Sequence, residues 1–152
     1  MEFKIRTDVA QRFADADKTF DKEMLLKLNP KFPPYKITRF DGLEQGDRVH
    51  VEFNFGLFKD GWEYVIAEKM AGENYWSFVD EGVKMPFFLK HWHHRYAIQQ
   101  EGGQTFVTDT VVFRSPFRLL DYLLYPWLYL HFMYRKPVYK KLFGDPAKPH
   151  AK

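Results

Sequence analysis

Apolar and polar residues alternate with a period of two between residues 35 and 115, and turn signals interrupt this alternation at short intervals. Each turn contains glycine, as in Asp41-Gly42, Asp60-Gly61 and Gly102-Gly103. Because a period of two places successive side chains on opposite faces of a strand, the pattern predicts a long antiparallel meander. Strands are predicted over 35–40, 48–56, 62–71, 75–81, 87–100 and 104–115, after a first short strand from Glu2 to Arg6.

Two short helices are predicted between the first strand and the meander. The first carries Val9 and Phe13 on one face and is predicted to begin at Thr7 or Asp8, since either side chain can cap a helix. The second is predicted from near Thr19 to Leu28, where an Asn-Pro pair ends it.

The last predicted element is one long helix from Phe117 to Phe143, which follows Pro116 and is kinked at Pro126. At a rise of 1.5 Å per residue it would span about 39 Å, close to the length of the longest strands. We therefore predict an α+β fold in which a curved antiparallel sheet of about seven strands wraps around this helix.

Both sides of the long helix are apolar. The stripe predicted to face inward consists of Leu120, Leu123, Leu124, Trp127, His131 and Tyr134. The opposite side carries Tyr122, Tyr125, Tyr129, Phe132 and Met133. Since a surface helix is usually polar on its outer side, we expect this side to contact a second subunit, as in a homodimer, or a membrane surface. Of the two, the homodimer is favoured.

Aromatic residues are unusually frequent, because the 152 residues include 16 Phe, 9 Tyr and 4 Trp. Side chains of this size fill a core or line a cavity that takes apolar ligands. The length suits one domain, which is predicted over residues 1–144, with a basic C-terminal tail over residues 145–152.

The formal net charge of +3 is concentrated at the C-terminus, whose last 18 residues contain six basic residues and one acidic residue. A nucleic-acid-binding surface normally spreads over a face or groove, so no nucleic-acid partner is expected. The absence of cysteine excludes a disulfide framework, a thiol nucleophile and thiolate metal sites. The N-terminal residues carry spaced charges instead of the apolar core of a signal peptide, and a cytoplasmic location is expected.

The Gly102-Gly103 turn determines the register of the two strands that it joins. A two-residue hairpin places Glu101 opposite Gln104. The inward pairs that follow are Tyr96 with Asp109, His94 with Val111, and Trp92 with Phe113. His94 and Asp109 thereby become diagonal neighbours within reach of each other.

A histidine beside a buried carboxylate has two interpretations. Asp109 can hold one imidazole tautomer and leave the other ring nitrogen of His94 free as a general base toward a cavity. Alternatively, the two residues satisfy each other because unpaired polar groups are costly to bury, and this structural role is favoured. Glu68, Lys90 and Asp80 are further polar candidates, with side-chain directions left open.

His91 and His93 share the outward face of the same predicted strand. Two imidazoles at this spacing can bind a metal when a neighbouring strand supplies a third ligand. The sequence shows no such ligand near them, so neither a metal site nor a cofactor is expected.

A set of short motifs accompanies this order of elements. The motifs are Phe78-x-Asp80, Pro86-Phe87, Trp92-x-His94-x-Tyr96, Thr105-x-x-x-Asp109-x-Val111-x-Phe113-x-x-Pro116 and Phe132-x-Tyr134-Arg135. Over residues 1 to 143 the chain resembles the SRPBCC ligand-binding superfamily, the START-like, helix-grip proteins related to polyketide cyclases. It departs from their pattern at Tyr96, where a second histidine is often expected, and at Phe117-Arg118-Leu119, where glycines are common. The resemblance implies a cavity between the concave sheet and the long helix, which many members use for apolar molecules and a minority use for catalysis.

We therefore expect a binding module that holds a small hydrophobic or aromatic molecule, lipid-like or polyketide-like, in this cavity. The alternative is a cyclase-like or dehydratase-like enzyme that uses His94 and Asp109 for acid–base chemistry. The residues expected to contact the ligand are Phe53, Phe55, Trp62, Phe78, Phe88, Trp92, His94, Tyr96, Asp109, Val111, Phe113, Leu123, Trp127 and His131.

Overall fold

The computed structural model describes residues 1–16 and 20–148, which form seven strands and four helices. The strands are β1 (Glu2–Val9), β2 (Tyr35–Phe40), β3 (Arg48–Asn54), β4 (Lys59–Ala71), β5 (Tyr75–Lys84), β6 (His91–Glu101) and β7 (Gln104–Arg114). The helices are α1 (Phe13–Ala16), α2 (Lys22–Leu28), α3 (Arg118–Met133) and α4 (Arg135–Phe143). All neighbouring strands are antiparallel, in the order β1-β7-β6-β5-β4-β3-β2. The predicted α+β architecture is confirmed.

The N-terminal strand is longer than predicted, and the prediction of a helix beginning at Thr7 or Asp8 is wrong. Side chains of β1 alternate between exposed and buried along its whole length. Its pairing with β7 continues to Val9, which lies opposite Thr105. Because Val9 is thus part of the sheet, the first helix begins only at Phe13.

The second short helix, α2, begins at Lys22. Asp21 caps it, since its carboxylate accepts a hydrogen bond from the backbone N–H of Met24 at 2.8 Å. The predicted end is confirmed, because Asn29 has extended backbone angles. Thr19, the predicted start, lies outside the described residues.

Strand β6 begins at His91 and not at residue 87 as predicted. The residues before it form a turn in which the N–H of Leu89 donates to the carbonyl oxygen of Pro86 at 3.0 Å. Beyond this turn the register is the predicted one. The observed pairs are Glu101 with Gln104, Tyr96 with Asp109, His94 with Val111, and Trp92 with Phe113.

The predicted long C-terminal helix is present as α3 and α4, with Tyr134 between them. Pro137 has no N–H to donate to the carbonyl of Met133, so the helical hydrogen bonding is weakened at this junction. Pro126, where a kink is predicted, lies inside α3. None of the described helices combines the length and hydrophobicity needed to cross a membrane.

The side of the C-terminal helices that faces the sheet differs from the predicted one. The buried residues recur at helical spacing and are Asp121, Leu128, Phe132, Arg135, Tyr139 and Phe143. Leu123, predicted to face inward, is 65% exposed, and Phe132, predicted on the outer side, is 2% exposed. The inward side includes the charged residues Asp121 and Arg135, which a search for apolar stripes does not reveal.

The inward face of the sheet packs against the helices in two hydrophobic clusters. One contains Tyr96 and Tyr139 together with residues of α1 and α2. The other contains Trp92 and Phe113 together with Phe132 of α3. Both clusters contribute walls to the cavity described next.

Candidate functional site

A cavity lies between the inward face of the sheet and the C-terminal helices. Its empty space, including the part open to solvent, is about 950 Å³. Eight of the residues predicted to contact a ligand line it, namely Phe53, Trp62, Phe78, Phe88, Trp92, His94, Trp127 and His131. Other lining residues were not among the predicted ligand contacts, including Asn29, Tyr35, Tyr64, Asp80 and Arg135.

The other six residues predicted to contact a ligand do not line this cavity. They are Phe55, Tyr96, Asp109, Val111, Phe113 and Leu123. Tyr96, for example, lies behind a layer of aromatic rings, since the ring centres of Phe20 and Phe78 are 4.8 and 5.3 Å from its own and both residues line the cavity. An inward direction in the sheet was therefore insufficient to predict contact with the cavity.

His94 is the centre of a buried hydrogen-bond network on one wall of the cavity. Its Nδ1 lies 2.7 Å from Oδ2 of Asp80, and its Nε2 lies 2.8 Å from Oδ1 of Asp109. The sheet register explains both contacts, because Asp80 lies directly opposite His94 and Asp109 lies diagonally across from it. Burial by itself lowers the pKa of His94, but the two carboxylates raise it above its usual value. The contacts therefore favour an imidazolium that donates to both carboxylates.

Asp109 accepts hydrogen bonds from three side chains. Besides His94, Nη1 of Arg135 donates to its Oδ1 at 3.2 Å, and the hydroxyl of Tyr139 donates to its Oδ2 at 2.9 Å. Burial by itself raises the pKa of Asp109, but Arg135, His94 and Tyr139 hold it below its usual value. Asp109 is therefore an ionised carboxylate that ties α4 to β6 and β7.

Asp80 and Arg135 extend the network along the cavity wall. Oδ1 of Asp80 accepts a hydrogen bond from Nε1 of Trp92 at 2.8 Å. Nη2 of Arg135 donates to Oδ1 of Asn29 at 3.0 Å, and its guanidinium carbon lies 4.1 Å from the ring centre of Phe132. When His94 is protonated, the charges of the two carboxylates and the two cations in this cluster balance.

This arrangement limits the chemistry available at the site. Asp80, His94 and Arg135 border the cavity, so one wall is polar while most of the others are aromatic or aliphatic. A general base needs an unoccupied ring nitrogen, whereas both nitrogens of His94 face carboxylates. The geometry thus provides a mainly apolar cavity with one polar wall.

The sequence predicted His94 beside Asp109, but it gave Asp80 only as a polar candidate with its direction left open and did not predict the role of Arg135. Two signals point to them. Asp80 follows Phe78 at the strand period, so both face inward, and Arg135 follows Phe132 at helical spacing. Neither signal is decisive, because a charged residue at such a position is usually solvated.

The remaining polar candidates of the sequence lie outside the cavity. Lys90 and His91 are exposed, and His93 is half-buried. Glu68 forms an ion pair with Arg95 at 3.4 Å. In residues 1–16 and 20–148 no group of three or more His, Asp or Glu side chains is arranged to hold a metal ion.

His131, on another part of the cavity wall, leads to a prediction about pH. Burial and the nearby Arg135 lower the pKa of His131 to about 4. The folded protein therefore keeps this imidazole neutral, while the unfolded chain binds a proton below about pH 6.5. As the pH falls from about 6.5 to 4, the wild type should lose stability relative to His131→Gln, by at most about 1.4 kcal/mol per pH unit. Urea unfolding at a series of pH values measures this difference, and parallel curves over that window would contradict the prediction.

Comparison of the sequence with family models finds no match, and comparison with curated proteins finds none either. Solved structures, in contrast, match over nearly the whole chain. Protein CV1439 from Chromobacterium violaceum has a TM-score of 0.66 at 11% identity, with 95% of this chain and 99% of that chain covered. Ginseng major latex-like protein 151 from Panax ginseng has a TM-score of 0.61 at 13% identity, with 96% and 98% covered. Zhui aromatase/cyclase from Streptomyces sp. R1128 has a TM-score of 0.53 at 11% identity, with 97% of each chain covered.

At identities this low, likeness between structures establishes the fold. The chain has the SRPBCC-type helix-grip fold. The fold expected from the sequence motifs is thereby confirmed. In this helix-grip fold the cavity lies between the sheet and the C-terminal helices, and Asp80, His94 and Arg135 form part of its wall.

Proposed function

We propose that this protein is a binding module that holds a small hydrophobic or aromatic molecule in the cavity between the sheet and the C-terminal helices. The observation that carries the proposal is the lining of the cavity, whose walls are mainly aromatic and aliphatic and include three tryptophans, Trp62, Trp92 and Trp127. Ligand-binding cavities are typically lined in this way, with a small number of polar groups.

Two buried N–H groups of lining residues support the proposal further. In the described part of the chain, neither Nε1 of Trp62 nor Nε of Arg135 has a hydrogen-bond partner. A buried donor without an acceptor is costly, so a ligand oxygen that reached either N–H group after a side-chain movement would relieve this cost. The expected ligand is therefore mainly apolar and carries at least one acceptor oxygen.

The alternative, acid–base catalysis by His94 and Asp109, has less support. A catalytic base must have a free lone pair within reach of the substrate. Both ring nitrogens of His94 are engaged by carboxylates, and Asp109 does not border the cavity. We therefore favour a structural role for this pair beside a ligand.

Filling the cavity should abolish binding. Val51 is half-buried and lines the cavity, so Val51→Trp places a large ring in the space proposed for the ligand. We expect saturable changes in tryptophan fluorescence when the wild type is titrated with fatty acids, flavonoids and hydrophobic dyes. For every compound that binds, Val51→Trp should weaken the affinity at least about tenfold by occupying its volume.

Val112→Trp is the matched control, because Val112 is also a half-buried strand valine but lies on the outer face of β7. It should bind like the wild type, and calorimetry separates binding from the fluorescence of the added tryptophan. No saturable response across the panel, or equal binding by the two variants, would overturn the proposal.

A further inference from the structure

The outer face of α3 is apolar over its whole length. The exposed residues on this face recur at helical spacing and are Leu119, Tyr122, Leu123, Pro126, Trp127, Leu130 and Tyr134 just beyond its end. Leu123 and Leu130 are 65% and 68% exposed. A contiguous apolar surface of this kind, which we call the α3 face, marks an interaction site.

The α3 face continues into the loops at the edge of the cavity. Ring centres follow one another from Phe58 to Phe87 at 5.5 Å, from Phe87 to Phe88 at 5.3 Å, and from Phe88 to Trp127 at 6.1 Å. Leu57, next to Phe58, is 99% exposed. Since Phe88 and Trp127 also line the cavity, the apolar surface reaches from the outer side of α3 to the cavity edge.

The exposed charged residues between positions 112 and 144, which flank the α3 face in the sequence, are all basic. Between residues 112 and 144 the only acidic residue is Asp121, which is buried and accepts a hydrogen bond from the backbone N–H of Ser115 at 2.6 Å. Arg114 at the end of β7 and Arg118 at the start of α3 are exposed. Beyond its other end lie the lysines of α4, namely Lys136, Lys140, which pairs with Asp145 at 3.5 Å, and Lys141.

This distribution disfavours a second copy of the chain as the occupant. In a two-fold pairing through the α3 face, an antiparallel arrangement brings the arginines of one copy against the lysines of the other. A parallel arrangement brings like ends together. Both put cations against cations, whereas an anionic lipid surface is attracted at both ends of the helix.

We propose that the α3 face docks this protein onto the surface of an anionic phospholipid bilayer. The helix lies in the plane of the interface, with its leucines at the acyl boundary and Tyr122, Trp127 and Tyr134 at the headgroup level, where amphipathic rings are favoured. Arg114, Arg118 and the lysines of α4 contact the lipid phosphates. This orientation turns the cavity edge at Trp127 toward the membrane.

Sedimentation with vesicles tests the proposal on the ligand-free protein, independently of the proposed function. The vesicles are made either of phosphatidylcholine alone or of equal parts phosphatidylcholine and phosphatidylglycerol. We expect binding to the anionic vesicles at least tenfold stronger than to the neutral ones, and weakening of that binding by added salt. The tryptophan emission of the wild type should shift to shorter wavelength when the protein binds vesicles. This shift should be absent in Trp127→Leu.

The variant Leu123→Glu/Leu130→Glu should reduce binding to anionic vesicles more than tenfold, since it places two carboxylates on the α3 face. Both leucines are exposed, so its melting temperature should remain that of the wild type. Met70→Glu is the control, because Met70 is 48% exposed but lies in β4, away from the elements that α3 packs against. It should reduce the binding less than twofold.

Three results would overturn the proposal. One is the absence of wild-type binding to anionic vesicles. Another is equal loss of binding in Met70→Glu and in the double α3 variant. The third is a dimer in light scattering that Leu123→Glu dissociates, which would assign the α3 face to a second copy.

Discussion

Replacing Asp109 by asparagine should lower the free energy of unfolding by about 3 to 5 kcal/mol, the usual cost of removing one partner from a buried ion pair. Asp109 is fully buried and accepts hydrogen bonds from His94, Arg135 and Tyr139. Asparagine has nearly the same shape but no charge, so the buried guanidinium of Arg135 loses its closest counter-ion. Urea unfolding at neutral pH measures the loss.

Asp8→Asn is the matched control for this substitution. Asp8 also pairs with an arginine, since its Oδ1 lies 2.8 Å from Nε of Arg6, but about half of each side chain is exposed. Exposed ion pairs contribute less than about 1 kcal/mol, so this variant should unfold nearly like the wild type. Equal effects of the two substitutions would show that the buried network does not hold the fold together.

The same variant distinguishes the two roles considered for His94 and Asp109. A structural pair predicts a large loss of stability in Asp109→Asn. A catalytic pair predicts a stable variant that binds its substrate but turns it over slowly, because the base is held in the wrong tautomer. A stable Asp109→Asn protein with intact binding and lost turnover would contradict the proposed binding module.

The stabilisation contributed by His94 should depend on pH with a definite sign. The carboxylates of Asp80 and Asp109 outweigh burial and raise the pKa of His94 above its usual value near 6.5. The protonated imidazole therefore favours the folded state. Its contribution is complete below about pH 6.5 and is lost as the pH rises through the higher folded-state pKa, at up to about 1.4 kcal/mol per pH unit.

Comparing the wild type with His94→Gln isolates this effect. The difference in free energy of unfolding between the two should be largest at mildly acidic pH and should shrink as the pH increases. Asp80→Asn provides a second test, because removing this carboxylate lowers the pKa of His94 and shifts the loss to lower pH. A difference that is constant from pH 6 to 9, or one that grows with pH, would contradict the assigned charge state of His94.

The pairing of consecutive strands from β2 to β7 could be predicted from local sequence pattern, whereas the pairing of β1 with the distant β7 was not predicted. Glycines lie in most of the turns between strands, although the predicted turn at Asp60-Gly61 lies inside β4. The two-residue Gly102-Gly103 turn leaves one register for β6 and β7. That register is sufficient to place His94 next to Asp109. The errors occur where local rules compete, as at Val9, which suits a helix face as well as the end of a strand, and at Pro86, whose turn delays the start of β6.

The candidate site was only partly predictable for a different reason. The alternation of apolar and polar residues along a strand shows which residues face inward. Trp62, Trp92 and His94 line the cavity as this alternation predicts. It does not show how deep the packing extends, so Tyr96 was assigned to the cavity although the rings of Phe20 and Phe78 cover it. The distance of an inward-facing side chain from the cavity depends on side chains of elements that are distant in the sequence. The local alternation of apolar and polar residues carries no information about it.

The sequence by itself determined the order of the strands from β2 to β7, the hairpin register and the place of the C-terminal helix after the sheet, because each depends on neighbouring residues. Only the tertiary structure decided how that helix is rotated about its axis. Its rotation is set by Arg135, which reaches Asp109 across 26 residues of chain, and by Asp121, which binds the backbone of Ser115. A prediction from apolar positions alone places both charged residues toward solvent. Their hydrogen-bond partners allow them to be buried, and Leu123 then lies on the outer surface.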